Sequence, residues 1–160
     1  MLWSDSLSRR SYAVFGDILS FNTTHKINRY SMVFALLTGL SHHRHLIYFG
    51  TGLLRDEKLE SFQCQFNSFL IVMGSHMPKT MITSQDLAIR QTVADVFESS
   101  IPRFCMLHIM RKLPERVGCT LNGWEEFIEH IKGCVWASNS PYNFEEYWGA
   151  DARRVWPDWQ

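Results

Sequence analysis

The chain has 160 residues, 46% hydrophobic and 20% charged, with 11 Phe and 6 Trp, a composition that fits one globular domain and excludes a disordered or fibrous chain. Sixteen basic residues balance sixteen acidic ones, which excludes a strong overall field toward nucleic acid or an anionic membrane and leaves any DNA affinity to a local patch. No apolar run approaches the roughly 20 residues that span a bilayer, and the opening MLWSDSLSRRSY has no signal-peptide core, so an intracellular chain with no membrane partner is expected.

In chain order, Tyr12 to Asn22 is rich in apolar β-branched and aromatic residues (Val14, Phe15, Ile18, Leu19, Phe21) and predicts a strand ending near Thr23, before the polar turn NTTHKIN. SMVFALLTGL (31–40) and LIYFGTGLL (46–54) predict two further strands, separated by the turn SHHRH, and the three together predict an antiparallel meander. DEKLESFQCQFNSFLIVMG places Leu59, Phe62, Phe66, Phe69, Leu70 and Met73 at helical spacing, with Asp56 available as a cap and Gly74 as a stop. The internal GSHM (74–77) reads as native chain, because the pattern continues through it.

KTMIT (79–83) predicts a short strand, and SQDLAIRQTVADVFESS a helix capped by Ser84 with Ile89, Val93, Val96 and Phe97 on one face. IPRFCMLHIMRKL predicts a strand that passes into a helix before Pro114. Further helices are expected within GWEEFIEHIKGCVWA and PYNFEEYWGADARRVW, the latter with Pro141 in its first turn. The predicted class is α/β, a mixed sheet of three antiparallel strands followed by alternating helices and strands, with helices on its faces. One domain, residues 1–160, is expected. The closing RRVWPDWQ, without a helix cap, suggests that it is truncated at its C-terminus.

Cys64, Cys105, Cys119 and Cys134 lie far apart with no CxxC pair, so they signal neither a zinc ribbon nor a disulfide framework. His42, His43 and His45 could form a metal tract, but their place in a hairpin turn fits a solvated loop as well. RKLPER (111–116) could touch phosphates, or could simply be a basic helix end that complements its own dipole.

Five phrases, in order, carry a resemblance: WSDSLSRRSYAVFGDILSFNTTHKINRY, SHHRH, GTGLLRDEKLESF, PKTMITSQDLAI and RFCMLHIMRKLPE. Together they closely resemble the Mutator-like (MULE) transposase domain as it occurs in the plant FAR-RED IMPAIRED RESPONSE family of transposase-derived transcription regulators, from about Leu2 to about Trp148. The resemblance implies an RNase H-like fold, a nuclear protein and, in active relatives, a DDE set of metal-binding carboxylates. The first acid, in a phrase like FDTTY, falls on Asn22 of FNTTH. The second, in a phrase like ITDQD, falls on Ser84 of ITSQD, and the third would lie beyond the residues present. The family's C-x-x-H element is matched by Cys105 and His108, which could help to bind zinc or could be a buried thiol and a satisfied imidazole. Zinc-binding modules, DNA contacts and other transcription regulators belong, by the same resemblance, to regions outside this chain.

The substitutions matter because a two-metal site holds its cations about 3.5–4 Å apart. Two unit charges 4 Å apart at an effective dielectric near 20 interact by roughly 4 kcal/mol, and two dications by about four times as much. Carboxylates offset that repulsion; an Asn amide or a Ser hydroxyl brings oxygen without charge. Asp86 lies two residues too late and reads as a first-turn helix acid, and Asp17 lies five residues before Asn22, on the other side of an extended strand. The expectation is a catalytically inactive domain without a cofactor, acting as a scaffold or interaction module. The alternatives are an active DDE transposase or nuclease and a decayed gene fragment. Its aromatic content predicts self-association.

Overall fold

The computed structural model describes residues 1–24, 29–117 and 124–155. The turn residues 25–28, Cys119 and the closing Trp156 and Trp159 therefore lie outside the described residues. The chain divides into two compact units, Met1–Lys112 and Leu113–Gln160.

The first unit is a six-stranded mixed sheet with its helices. Its strands are β1 (Leu2–Trp3), β2 (Ile18–Thr24), β3 (Val33–Leu40), β4 (Leu46–Leu54), β5 (Thr80–Thr83) and β6 (Ile101–Phe104); its helices are α1 (Ser6–Phe15), α2 (Leu59–Val72) and α3 (Leu87–Val96). The spatial order is β1-β4-β3-β2-β5-β6. The expected meander is present as β2, β3 and β4, antiparallel throughout, whereas β5 and β6 run parallel to β2. β2 is thus the strand at which the pairing changes sense.

The first predicted strand is wrong in its first half. Residues 12–15 are helical, because Asp5 caps α1 by accepting the Ser8 N–H (2.6 Å) and Gly16 closes it through Tyr12. Ser8 and Tyr12, one turn apart, are its buried residues. The β-branched and aromatic side chains that suggested a strand serve equally on the apolar side of a capped helix. The strand begins only at Ile18, and β1, which pairs with β4 at the sheet edge, was not read at all. Asp17 consequently sits in the turn, where its carboxylate pairs with Lys79 (2.9 Å).

The core lies on one face of the sheet, under α1, α2 and α3. Leu19 and Phe21 of β2, Ala35 and Leu37 of β3 and Met81 of β5 project into it, as the period of two requires. Tyr12 of α1 meets Phe49 and Phe69 edge to face, with centroids 5.0 and 5.1 Å away. Phe66 of α2 packs on Phe21 (4.7 Å) and on Phe97 (5.2 Å). A β-bulge at Leu37/Thr38 leaves Phe49 opposite no partner. Gly39 makes room for that ring, since a Cβ there would stand 2.4 Å from Phe49 and 2.8 Å from the Ile18 carbonyl.

Two caps differ from expectation. Lys58, not Asp56, occupies the N-cap of α2; Asp56 instead accepts the Ser61 hydroxyl (2.6 Å) and the Lys58 N–H (3.3 Å), which hold its carboxyl below the usual value, the Ser61 bond most of all. Asp86, not Ser84, caps α3 by accepting the Ile89 N–H (3.1 Å). The expected passage from strand to helix before Pro114 is present, and helix α4 (Met106–Val117) continues through that proline.

In the second unit, α5 (Trp124–Ala137) and α6 (Pro141–Val155) follow the predicted helices. α5 buries Phe127, Ile131 and Cys134 along one stripe. Ser140 accepts the Asn143 N–H (3.2 Å) ahead of Pro141 in the first turn of α6.

Candidate functional site

The β2–β5 ladder pairs Ile18 with Thr80, Leu19 with Met81 and Ser20 with Ile82. Carried two residues further, this register sets Ser84, the residue after β5, beside Asn22 of β2. The β5–β6 ladder ends on Thr83 opposite Phe104, and the Cys105 N–H donates to the Thr83 carbonyl (2.8 Å). Carried one residue further, it sets Cys105 beside Ser84. On that extension, three residues singled out in separate parts of the sequence share one level at the C-terminal ends of three parallel strands. In open α/β sheets that edge is where ligands bind.

The chemistry of the row is neutral. The Asn22 amide nitrogen donates to Ser20 Oγ (3.4 Å) on the same face of β2. Ser84 Oγ accepts the Asp86 N–H (3.4 Å), and its carbonyl accepts the Thr83 hydroxyl (3.0 Å). The acids nearby are turned to other work. Asp86 is occupied by the start of α3, and Glu57 meets the hydroxyl of Thr23 (3.4 Å), which alternates with Asn22 and so belongs to the opposite face.

Cys105 and His108 are joined through the first turn of α4, where the Cys105 carbonyl accepts the His108 N–H (3.1 Å). Both side chains are half-buried. His108 Nδ1 is buried and has no hydrogen-bond partner among the described residues. Burial, and then the charges of Lys112 and Arg111, press its imidazole below the ordinary value of 6.5 toward the neutral form. This places RKLPER on α4, where its first two cations act on His108. His42, His43 and His45 occupy the β3–β4 turn; the His42 ring lies 5.0 Å from Phe15, and the His43 and His45 rings are 6.4 Å apart. Among the described residues no group of three or more His, Cys, Asp or Glu side chains is placed to hold a metal ion.

The model of the MULE transposase domain matches residues 18–112. The chain belongs to the MULE transposase domain family. The matched segment begins at β2 and ends with the first compact unit, so it takes in five of the six strands of the sheet, β2 to β6. Three relatives from Arabidopsis thaliana are similar to this chain in sequence. Protein FAR1-RELATED SEQUENCE 5 is 33% identical over 92% of this chain and 19% of its own length. Protein FAR1-RELATED SEQUENCE 7 is 33% identical over 94% and 19%, and Protein FAR-RED IMPAIRED RESPONSE 1 is 28% identical over 92% and 18%. The chain thus spans about a fifth of the length of these curated relatives. Among solved structures, a chain of the simian T-cell lymphotropic virus intasome in complex with PP2A regulatory subunit B56 gamma aligns with a TM-score of 0.37 and 8% identity, over 70% of this chain and 45% of that one. That likeness is too slight to assign a fold.

Sequence reading missed the cap role of Asp86 and the groove beside α3. The first was signalled by Asp86 standing just before LAIRQTV, and the second by the helical spacing of Leu87, Arg90, Gln91 and Ala94.

Proposed function

We propose that this MULE-family domain is catalytically silent and serves as a scaffold or interaction module within a nuclear, transposase-derived transcription regulator. The observation that supports the reading is the parallel β2–β5 register, which on extension by two residues brings Asn22 and Ser84, the positions where the family resemblance expects the first two metal-binding acids, to one level without charge. A pair of divalent cations does not fit this donor set. Hard cations of that kind are held by carboxylates, and Asp86 and Glu57 are committed to Ile89 and Thr23. An RNase H-like core is supported by the order β4-β3-β2-β5-β6, three antiparallel strands continued by two parallel ones through the crossovers α2 and α3.

Cys105 and His108 supply two donors where a structural zinc site takes four, and we assign them to the strand–helix junction. DNA and other transcription regulators are partners of the longer protein. The test is cleavage of a DNA hairpin by the purified chain in magnesium or manganese: no cutting is expected, and metal-dependent cutting that is lost on adding a chelator overturns the reading.

A further inference from the structure

The flank of α3 turned away from the core carries Leu87, Arg90, Gln91 and Ala94, one stripe along the helix. With Pro102 and Phe104 of β6 they border a groove of about 710 Å³ between α3 and the sheet edge. Its walls leave apolar surface in water, with Leu87 76% and Phe104 45% exposed. Arg90 is the charged residue of the lining. Its guanidinium carbon lies 5.4 Å from the centroid of the Phe104 ring, and it makes no ion pair among the described residues. An apolar trough bordered by one cation that has no ion-pair partner among the described residues complements an apolar group that has a carboxylate beside it. It complements nucleic acid poorly, because that binding is built from many phosphate contacts.

The edge itself decides the form of the occupant. Ile101 and Cys105 direct their N–H groups inward, to the carbonyls of Lys79 and Thr83 (both 2.8 Å). Positions 102 and 104 therefore face outward. Pro102 has no N–H, and its carbonyl accepts the Arg103 guanidinium (3.3 Å). An added strand would find Phe104 as its one donor, so strand addition at this edge is disfavoured. Side chains entering the groove must carry recognition, as when an amphipathic helix lies in a trough.

We propose that the α3–β6 groove docks a short acidic amphipathic segment of a partner protein. An aromatic or aliphatic side chain seats between Leu87, Ala94 and Phe104, a neighbouring carboxylate pairs with Arg90, and the Gln91 amide hydrogen-bonds the segment. This rests on the reading of the domain as an interaction module and names the surface that would serve it.

The experiment selects a displayed library of random 12-residue peptides on the full chain, with counter-selection on the Ala94→Trp variant, whose indole fills the groove. Enriched peptides are then measured by fluorescence anisotropy. The expected result is enrichment of peptides pairing Asp or Glu with aromatic or aliphatic residues at helical spacing. Affinity should fall roughly tenfold or more in Arg90→Glu, the scale of a lost charge-assisted hydrogen bond, and less in Arg90→Lys. Leu87→Ala, at an exposed position that folding does not depend on, should weaken binding as well. The proposal is overturned if enriched peptides lack acidic residues, if they bind Ala94→Trp and Arg90→Glu as well as the parent, or if a single-stranded DNA oligonucleotide competes for the groove in preference to them. It is also overturned if the groove variants abolish self-association instead, which would make a second copy the occupant. Hairpin cleavage by the same preparation would refute the silent-module reading independently of the peptide result.

Discussion

The parallel register that pairs Ile18 with Thr80 and Ser20 with Ile82, extended by two residues, brings Asn22 of β2 and Ser84, the residue after β5, to one level. They are separated in sequence by β3, β4, α2 and β5, yet the sheet order sets β2 and β5 next to each other. The position is that of a ligand-binding edge, and the side chains there are an amide and a hydroxyl.

Restoring charge at this level should restore cation affinity. The double variant Asn22→Asp, Ser84→Asp is expected to bind manganese saturably by calorimetry where the parent does not. Without metal it should melt below the parent, because two like charges then share one edge, and manganese should recover the loss. A double variant indifferent to manganese would show that the two side chains do not converge.

The helix start after β5 separates the roles of two adjacent polar residues. Asp86→Ala removes the acceptor of the Ile89 N–H and should cost about 1 kcal/mol in urea unfolding. Ser84→Ala removes no acceptor of a helix N–H and should change stability far less. Equal losses would reinstate Ser84 as the cap.

His108 gives stability a pH dependence of definite sign. Its folded-state value lies below the ordinary 6.5, because burial and the charges of Lys112 and Arg111 disfavour the imidazolium. The unfolded chain then binds more protons between the two values, so stability rises with pH through that window and is lost as pH falls from 6.5 toward the folded value. Melting temperature measured from pH 7.5 to 5.5 should fall, and His108→Gln should make that fall shallower. An unchanged slope would remove His108 from the account.

The aromatic cluster holds the first unit together. Phe66 is fully buried between Phe21 and Phe97, and Phe66→Ala should cost about 3–5 kcal/mol by chemical denaturation. A loss below about 1 kcal/mol would mean that the cluster repacks or that α2 is placed by other contacts.

How much of this was legible in the sequence differs by element. The strands 31–40 and 46–54 and the helix around Phe62, Phe66 and Phe69 stood out because burial on one face leaves a period, and they are present as β3, β4 and α2. The segment from Ser6 to Phe15 did not, because its helix depends on a single cap at Asp5 and on burial of Tyr12 against Phe49 and Phe69, partners distant in the chain. β1 is two residues long and exists only through β4. Pro114 continued a helix that sequence rules end.

For the candidate site, the residue types and the nearness of Asn22 and Ser84 on adjacent strands were legible through the resemblance, and the place of Cys105 was not. FNTTH, ITSQD and the Cys105–His108 pair could each be marked from the resemblance, and it is the β5–β6 register, extended by one residue, that adds Cys105 to the level of Ser84. Asp86 misled because Ser and Asp are both good capping residues two positions apart. The groove beside Arg90 needed the edge position of β6, which follows from a sheet order that no local pattern encodes.

The most direct test of the central claim is a manganese titration of the unmodified chain followed by electron paramagnetic resonance. If the row formed by Asn22, Ser84 and Cys105 is too poor in charge to hold a divalent pair, the free-ion signal should grow in proportion to added manganese, as it does in buffer. Saturable loss of that signal that is abolished by Asn22→Ala and Ser84→Ala would contradict the account.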